Sequence, residues 1–360
     1  MIAHGSSANL AGEIRNMKTL RAVLSSLAFL AFVPSALAQA VPEARIKAIL
    51  AMTPQQMAET GKWTKTAYDQ MLGHINQIQD RATRELVLDF VLRPESTVFK
   101  AKATQSFLAS PAAGGRGHHF YPGGLPVHVL EWIEVAKAWA KTYERVYGVQ
   151  KIDIDLVVAA LVLHDSAKVW YEWDPKTFKV VRPAWYPASW GGDAGKAKWR
   201  WMGEHGAVVY SELYARGAPD KLIVATAATH FDPHWDLDRD GEGLNPALAE
   251  AAKIAGKPPI VVQPGKQMLE WWFSTYTDGA WSFSHYIAGF RGIDAVRAVA
   301  KDLGYADESY ESNKLVGFVL SRVSDFRIYE VYQQSGYSMD AAKALVLAVL
   351  RDSSAYEIGK

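Results

Sequence analysis

A histidine and an aspartate, His164 and Asp165, stand together at the end of a strongly apolar segment, residues 153–163. Two ionisable side chains at the end of a buried helix cost free energy unless they find partners. A metal ion would satisfy both groups together. Lys168 follows three residues later, near the predicted helix end, where a cation is also favoured. This short segment is therefore the first candidate for metal chemistry.

Three further histidines lie where predicted helices begin or end. His128 falls near the start of one helix, His205 near the start of another and His230 at the end of a third. Helix ends are places where several elements can bring side chains to one point. The chain contains no cysteine, so any metal must be held by histidine and carboxylate. Four imidazoles and a carboxylate suit first-row metals such as manganese, iron, cobalt, nickel or zinc.

Two motifs around these residues resemble a known family. Residues 118–128 read His-His-Phe-Tyr-Pro-Gly-Gly-Leu-Pro-Val-His. This segment is similar to the His-His-Ala-Tyr-x-Gly-Gly-Leu-x-x-His motif of HD-domain proteins of the 3′–5′ exoribonuclease and relaxase types. Residues 164–168 resemble the family's His-Asp-x-Gly-Lys motif, with Ala167 where glycine is usual. The chain thus resembles the HD superfamily of metal-dependent phosphohydrolases over roughly residues 118 to 280.

The resemblance implies two divalent transition metals and six ligands, which are His128, His164, Asp165, His205, His230 and Asp278. His205 and His230 are the additions found in members with two metals, and Asp165 would bridge the metals. Asp278 is chosen as the closing ligand because it ends a predicted helix after a suitable interval. Three neighbours compete with it for that place, namely Asp232, His234 and Asp236.

The activity that the resemblance implies is hydrolysis of a phosphomonoester or phosphodiester, in which two metals activate water for attack at phosphorus. Lys168 would neutralise charge that develops on the phosphoryl group. His118 or His119 would contact the phosphate or protonate the leaving oxygen, although both could instead anchor their loop through hydrogen bonds. The expected substrate is a nucleotide, an oligonucleotide or another phosphorylated small molecule.

Two other functions fit the same residues. Some HD-superfamily members use this ligand set as a di-iron oxygenase, and the ligands alone do not separate the two chemistries. The third possibility is a non-catalytic HD scaffold that serves recognition. The presence of all six candidate ligands argues against this last reading.

A second candidate site is a calcium loop. Asp236, Asp238 and Asp240 alternate along the chain and Gly241 follows them, as in the first half of an EF-hand loop. The glutamate expected at the twelfth position is absent, because that position is Ala247. The alternative interpretation is a solvated acidic turn.

The remaining sequence predicts an all-α protein with a small Trp-rich insertion at residues 170–201, in which residues 177–181 alternate like a short hairpin. Helical spacing of apolar residues extends over most of the chain and includes residues 43–59, 64–92, 97–109 and 312–334. The predicted divisions are an N-terminal helical extension (39–110), the HD metal core (111–290) and C-terminal helices packed on the core (291–360).

The first 38 residues resemble a secretory signal peptide. Lys18 and Arg21 precede a short apolar run, and a helix-breaking Pro34 leads to a small-x-small site that ends at Ala38. Met17 would make a conventional start. We expect cleavage after Ala38, a periplasmic or secreted enzyme, and no membrane span in the mature chain. The net charge of +1 excludes a polybasic nucleic-acid binder, so stable nucleic-acid binding is not expected. No oligomer interface can be read.

Overall fold

The structure is a computed structural model that describes residues 41–113, 118–149, 151–186, 203–238, 243–279, 282 and 288–352. The predicted signal peptide and Asp240 lie outside these residues, as does the second half of the predicted Trp-rich insertion. Within them, no helix is long and apolar enough to cross a membrane.

The described chain is helical almost throughout, as predicted. Its helices are α1 (Glu43–Ala51), α2 (Pro54–Thr60), α3 (Lys62–Asn76), α4 (Arg81–Leu92), α5 (Gly124–Tyr147), α6 (Ile154–Leu163), α7 (Gly203–Ala215), α8 (Asp220–Ala228), α9 (Leu244–Ala255), α10 (Leu269–Asp278), α11 (Phe290–Asp302), α12 (Tyr310–Leu320), α13 (Asp325–Gln334) and α14 (Met339–Arg351). Two 3₁₀ turns lie at Phe107–Ala109 and Ser166–Trp170. A hairpin is present, formed by β1 (Glu172–Trp173) and β2 (Val180–Val181) in antiparallel pairing, but only β2 lies within the predicted residues 177–181.

Several long predicted helices are each divided into two. Capping side chains start the second helix in each case: Thr53 accepts from the Gln56 N–H, Asp80 from the Thr83 N–H and Ser324 from the Arg327 N–H. These polar residues satisfy the backbone N–H groups at a helix start and so favour a new helix over continuation of the old one.

The predicted helix over residues 97–109 is wrong except for its last turn. The buried carboxylate of Glu212 accepts hydrogen bonds from the backbone N–H groups of Thr97 and Val98, at 2.9 and 2.8 Å. A β-bridge between Glu95 and Lys102 then turns the chain back. The segment is therefore held by tertiary contacts with α7, which overrule its helical spacing of apolar residues.

The main hydrophobic core surrounds α6. All eight residues from Leu156 to Leu163 are buried, and the helix packs against α4, α5, α8 and α10. A helix that is apolar on every side needs neighbours on every side. Because α6 lies in the centre, the residues at its carboxyl end are placed in the middle of the bundle.

A second hydrophobic cluster unites the two ends of the described chain. It is built from α11–α14 together with α1, with Val296, Phe318 and Val346 among its fully buried residues. Arg322, which follows α12, is buried and donates hydrogen bonds to the Met57 carbonyl and the Thr60 hydroxyl of α2. Arg45 in α1 donates to the Leu350 carbonyl in α14 at 3.1 Å.

Candidate metal centre

Five helices bring the six predicted ligands together. His128 lies in the second turn of α5, His205 at the start of α7, and Asp278 is the last residue of α10. The other three follow helix ends: His164 and Asp165 come directly after α6, and His230 comes shortly after α8. Most are buried, with His164 fully enclosed and Asp165 only 1% exposed. Helix packing around α6 is what places these polar groups in the interior.

Four donor atoms form a compact group. Nε2 of His128 lies 3.4 Å from Nε2 of His164, 3.3 Å from Oδ2 of Asp165 and 3.2 Å from Oδ1 of Asp278. Nε2 of His164 lies 3.4 and 3.1 Å from the same two oxygens. Nε2 of both histidines and Oδ1 of Asp278 lie within 4.8 Å of one another, so one metal ion could contact all three. Oδ2 of Asp165 lies beside the same two histidines.

A second group of donors uses the other oxygen of Asp165. Oδ1 lies 3.1 Å from Nε2 of His205 and 3.8 Å from Nε2 of His230. Among the described residues, neither this oxygen nor Nε2 of His205 has a hydrogen-bond partner, although both are buried. Leaving buried polar atoms unpaired costs about 1–3 kcal/mol each. A metal ion beside Oδ1 would satisfy both atoms, and His164, Asp165 and His230 have donor atoms within 4.8 Å of one another.

Hydrogen bonds to the second ring nitrogens orient the histidines. Nδ1 of His164 lies 2.7 Å from the Leu161 carbonyl, which can only accept, so Nδ1 carries a proton and Nε2 is the nitrogen that faces the carboxylates. The Tyr210 hydroxyl lies 2.8 Å from Nδ1 of His230 and serves the same purpose. The Trp132 indole N–H donates to Nδ1 of His128 at 2.8 Å, which places the proton of a neutral His128 on Nε2, and a metal ion at Nε2 would have to displace it.

The charges in the centre keep the carboxylates ionised. Burial is the largest single influence on the pKa of Asp165 and raises it, but His164, Lys168 and hydrogen bonds together hold this pKa well below its usual range. The same balance depresses the pKa of Asp278. Burial lowers the pKa of His230 to about 3, and it also lowers the pKa of His205. Burial lowers the pKa of His164, but the carboxylates of Asp165 and Asp278 together raise it to about 10, so a metal ion that binds Nε2 of His164 would displace a proton.

Lys168 lies inside the centre. Its Nζ donates to Oδ2 of Asp165, and the residue is only 6% exposed. The 3₁₀ turn Ser166–Trp170 places this cation on the same side of the chain as Asp165. A buried ammonium beside a metal-binding carboxylate can bind an anionic substrate group.

The loop that carries His118 and His119 lies against the centre. The ring of His118 packs 4.7 Å from that of His128, and Nδ1 of His118 lies 3.3 Å from Nδ1 of His119. His119 has a left-handed backbone conformation, with φ of 51°. The loop crosses the start of α5 so closely that a Cβ at Gly124 would lie 1.9 Å from the His119 carbonyl oxygen. Burial lowers the pKa of His118 well below its ordinary value, and nearby His128 acts in the same direction.

The competitors for the closing position have other partners. Asp232 accepts from the Tyr276 hydroxyl at 2.9 Å and from the backbone N–H groups of two following residues. The exposed His234 packs against Trp235 and Trp272. The Asp236 carbonyl accepts from the Leu244 N–H. Of the predicted calcium ligands, Asp236 and Asp238 are described and Asp240 lies outside the described residues, so that loop stays a prediction.

Comparison with known proteins gives two relatives. Over 156 residues the chain is 27% identical to the dihydroneopterin 2′,3′-cyclic phosphate phosphodiesterase of Methanocaldococcus jannaschii, a match that covers 43% of this chain and 56% of that protein. Over 68 residues it is 37% identical to the 3′-5′ exoribonuclease YhaM of Shouchella clausii, covering 19% of each chain. The chain thus spans about half the length of the first relative and about a fifth of the second.

No family model matches the chain, and no solved structure matches it. Both relatives carry names of enzymes that act on phosphodiesters, in agreement with the resemblance to HD phosphohydrolases. The chain is therefore similar to metal-dependent phosphohydrolases, and its buried His/Asp clusters could hold metal ions.

Sequence reasoning missed the residues that support the ligands. Trp132 follows His128 by one helical turn, so the pair shares a helix face and could have been noticed. Tyr210 orients a histidine of another helix, and Glu131 faces His119 across a loop. No spacing in the sequence indicates either contact, because both depend on how helices pack.

Proposed function

We propose that the chain is a metal-dependent phosphohydrolase that cleaves phosphodiesters at a dinuclear His/Asp centre. The observation that supports this most is the division of Asp165, whose two oxygens face different groups of donors. Oδ2 lies beside His128 and His164, and Oδ1 faces His205 and His230. A carboxylate placed in this way can bridge two ions. All six predicted ligands would take part.

Each residue of the centre then has a defined task. When bound, the two metals would lower the pKa of water and offset the charge of the phosphoryl oxygens. Lys168 would hold a phosphoryl oxygen through its ammonium group. His118, whose ring packs on that of His128, would exchange a proton with the attacking water or the leaving oxygen. The buried side chains around them would exclude bulk water and strengthen these interactions.

The proposed substrate class is a small or terminal phosphodiester. The names of the two relatives specify a cyclic phosphate and RNA, and both of these molecules contain phosphodiester bonds. A diester has a single negative charge on its phosphoryl group, which one ammonium and two metals can offset. Export from the cytoplasm, proposed from residues 1–38, would direct the enzyme toward extracytoplasmic substrates. Mass spectrometry of the mature protein should then find Gln39 at its start.

The test uses purified protein loaded with manganese. We expect hydrolysis of bis-p-nitrophenyl phosphate, and of at least one of a 2′,3′-cyclic nucleotide and a short RNA, with about two metals per chain. Asp165→Asn should lose both metals and reduce kcat/KM by at least a hundredfold. Asp69→Asn is the matched control, because Asp69 lies on the exposed face of α3, where it pairs with Lys65. This variant should retain both the metals and the activity.

Lys168→Gln should keep the metals but lower kcat, because the amide is the neutral counterpart of the ammonium. Wild-type protein that carries metals but hydrolyses none of these phosphodiesters would contradict the proposal. Oxygen-dependent turnover with a mixed-valent iron signal would establish the oxygenase alternative instead.

A further inference from the structure

A carboxylate and two histidines form a row that ends at the metal centre. Nε2 of His119 lies 3.5 Å from Oε2 of Glu131. On its other side, Nδ1 of His119 lies 3.3 Å from Nδ1 of His118. The ring of His118 packs in turn on that of His128, with centroids 4.7 Å apart. The two nitrogens of His119 therefore face different neighbours, the carboxylate and His118.

This order determines where the protons lie. A neutral imidazole has one N–H and one lone pair, whereas an ionised carboxylate only accepts. A lone pair on Nε2 of His119 would be repelled by the Glu131 carboxylate, so the proton is placed on Nε2. Nδ1 of His119 then accepts, and Nδ1 of His118 must donate to it. In neutral His118 the lone pair is consequently on Nε2.

We propose that Glu131 is a positioning residue that acts through His119 and makes Nε2 of His118 a proton acceptor beside the metal centre. The proposal deepens the proposed function and rests on it. In the reaction, an O–H bond of the attacking water breaks, its electron pair forms the bond to phosphorus, and the proton passes to Nε2 of His118. The bond between phosphorus and the leaving oxygen then breaks, the oxygen keeps the electron pair, and His118 returns the proton to it. The negative charge of Glu131 stabilises the transient positive charge on the histidine pair.

The backbone supports this arrangement. His119 has a left-handed backbone conformation, which is uncommon outside glycine although histidine adopts it more often than most residues. Here the His119 carbonyl accepts from the Ala112 N–H at 2.9 Å and lies directly over Gly124. The side chain of His119 reaches Glu131, which is three residues beyond His128 on α5.

Other titratable groups near Glu131 determine the conditions of the test. Burial raises the pKa of Glu131 to about 7, with His128 acting against this rise and Asp325 adding to it. Buried Tyr121 lies beside the ring of His119, with centroids 6.0 Å apart. The Glu131 carboxylate is ionised when the pH is above its pKa of about 7, so the kinetics are measured at pH 8.5.

The experiment compares three variants of the metal-loaded full chain. Glu131→Gln keeps the shape of the side chain but removes its charge, and Glu131→Asp keeps the charge. The matched control is Glu134→Gln, one turn further on α5, whose carboxylate lies 2.7 Å from Nε2 of His74 and is 60% exposed. We expect Glu131→Gln to lower kcat by roughly ten- to a hundredfold, with KM and metal content within about twofold of wild type. Glu131→Asp should recover part of the lost kcat. Glu134→Gln should keep the wild-type kcat.

A second readout does not depend on activity. Nitrogen-15 NMR of the histidine side chains should show His118 with its proton on Nδ1 in the wild type and with more proton on Nε2 in Glu131→Gln. Wild-type kinetics and an unchanged tautomer in Glu131→Gln would overturn the proposal, as would loss of metal together with activity, since that indicates structural support only. An inactive wild type would count against the proposed function, while the NMR comparison would still decide the role of Glu131.

Discussion

Oδ1 of Asp278 lies 3.1 Å from Nε2 of His164, although the two residues belong to different helix ends. The helices α6 and α10 pack side by side, and both stop at the level of the centre. The centre is therefore closed by helix packing and needs no loop to supply its last carboxylate.

This relationship predicts a difference between two aspartates. Asp278→Ala removes an oxygen that lies within 3.2 Å of both His128 and His164, so it should reduce bound metal by at least half and abolish activity. Asp232→Ala removes a contact with the Tyr276 hydroxyl and should keep both metals. Elemental analysis after dialysis measures the outcome. The reverse order of the two variants would assign the closing ligand to Asp232.

Tyr210 should control the affinity of one metal position. Tyr210→Phe removes the hydroxyl that contacts Nδ1 of His230, which leaves this buried nitrogen without its partner. We expect a roughly ten- to hundredfold weaker binding of one metal, measured by chelator competition. Tyr214→Phe, one turn further on α7, removes a bond from the Ile260 N–H and should bind metal as the wild type does. Equal affinities in Tyr210→Phe and wild type would refute this role.

Gly124 should be intolerant of any side chain. An alanine Cβ there would lie 1.9 Å from a backbone oxygen, so the His119 loop would have to move. We expect Gly124→Ala to destabilise the fold by about 1–3 kcal/mol and to lower kcat. Gly73 lies in α3 with open space around it, and Gly73→Ala should raise stability by up to about 1 kcal/mol. Urea unfolding and steady-state kinetics measure both effects, and a stable, active Gly124→Ala would show that the loop adapts.

Asp325 should make the fold less stable as pH rises. Burial raises the pKa of this carboxyl from 3.8 to about 6, so the folded state favours the protonated form. Its stabilising contribution is complete below pH 4 and is lost as pH rises through 6. Asp325→Asn should therefore raise the melting temperature at pH 7.5 relative to wild type and lose this advantage by pH 4. The exposed Asp340 in the first turn of α14 provides a control, since its charge favours the helix start. Asp340→Asn should slightly lower the melting temperature at pH 7.5. A pH-independent effect of Asp325→Asn would contradict this account.

The helical architecture could be predicted because its signals are local. The apolar run before His164 predicts a buried helix, and that helix is the centre of the bundle. Helix ends were less predictable, since Thr53, Asp80 and Ser324 act as caps only when the chain around them bends. Residues 97–109 show the limit of spacing arguments, because Glu212, distant in sequence, binds their backbone.

The candidate ligands could be named from the sequence, but the way they divide into two groups around Asp165 could not. The motifs point to His128, His164 and Asp165, and the structure places these residues together. Which oxygen of Asp165 faces which histidine depends on the rotation of one side chain among five helices. The contacts of Tyr210 and Glu131 depend on the same packing, so only coordinates reveal them. The ligand roles themselves stay predictions until metal is measured.

The hydrogen bond from Arg45 to Leu350 joins helices that are 305 positions apart in the chain. The two ends of the described chain therefore lie close together in the folded state. A short covalent link between them would add little restriction to the folded chain. New termini could then be opened in the exposed loop at residues 263–266. The bundle is thus suited to circular permutation, whereas removal of either end would take away part of a shared hydrophobic core.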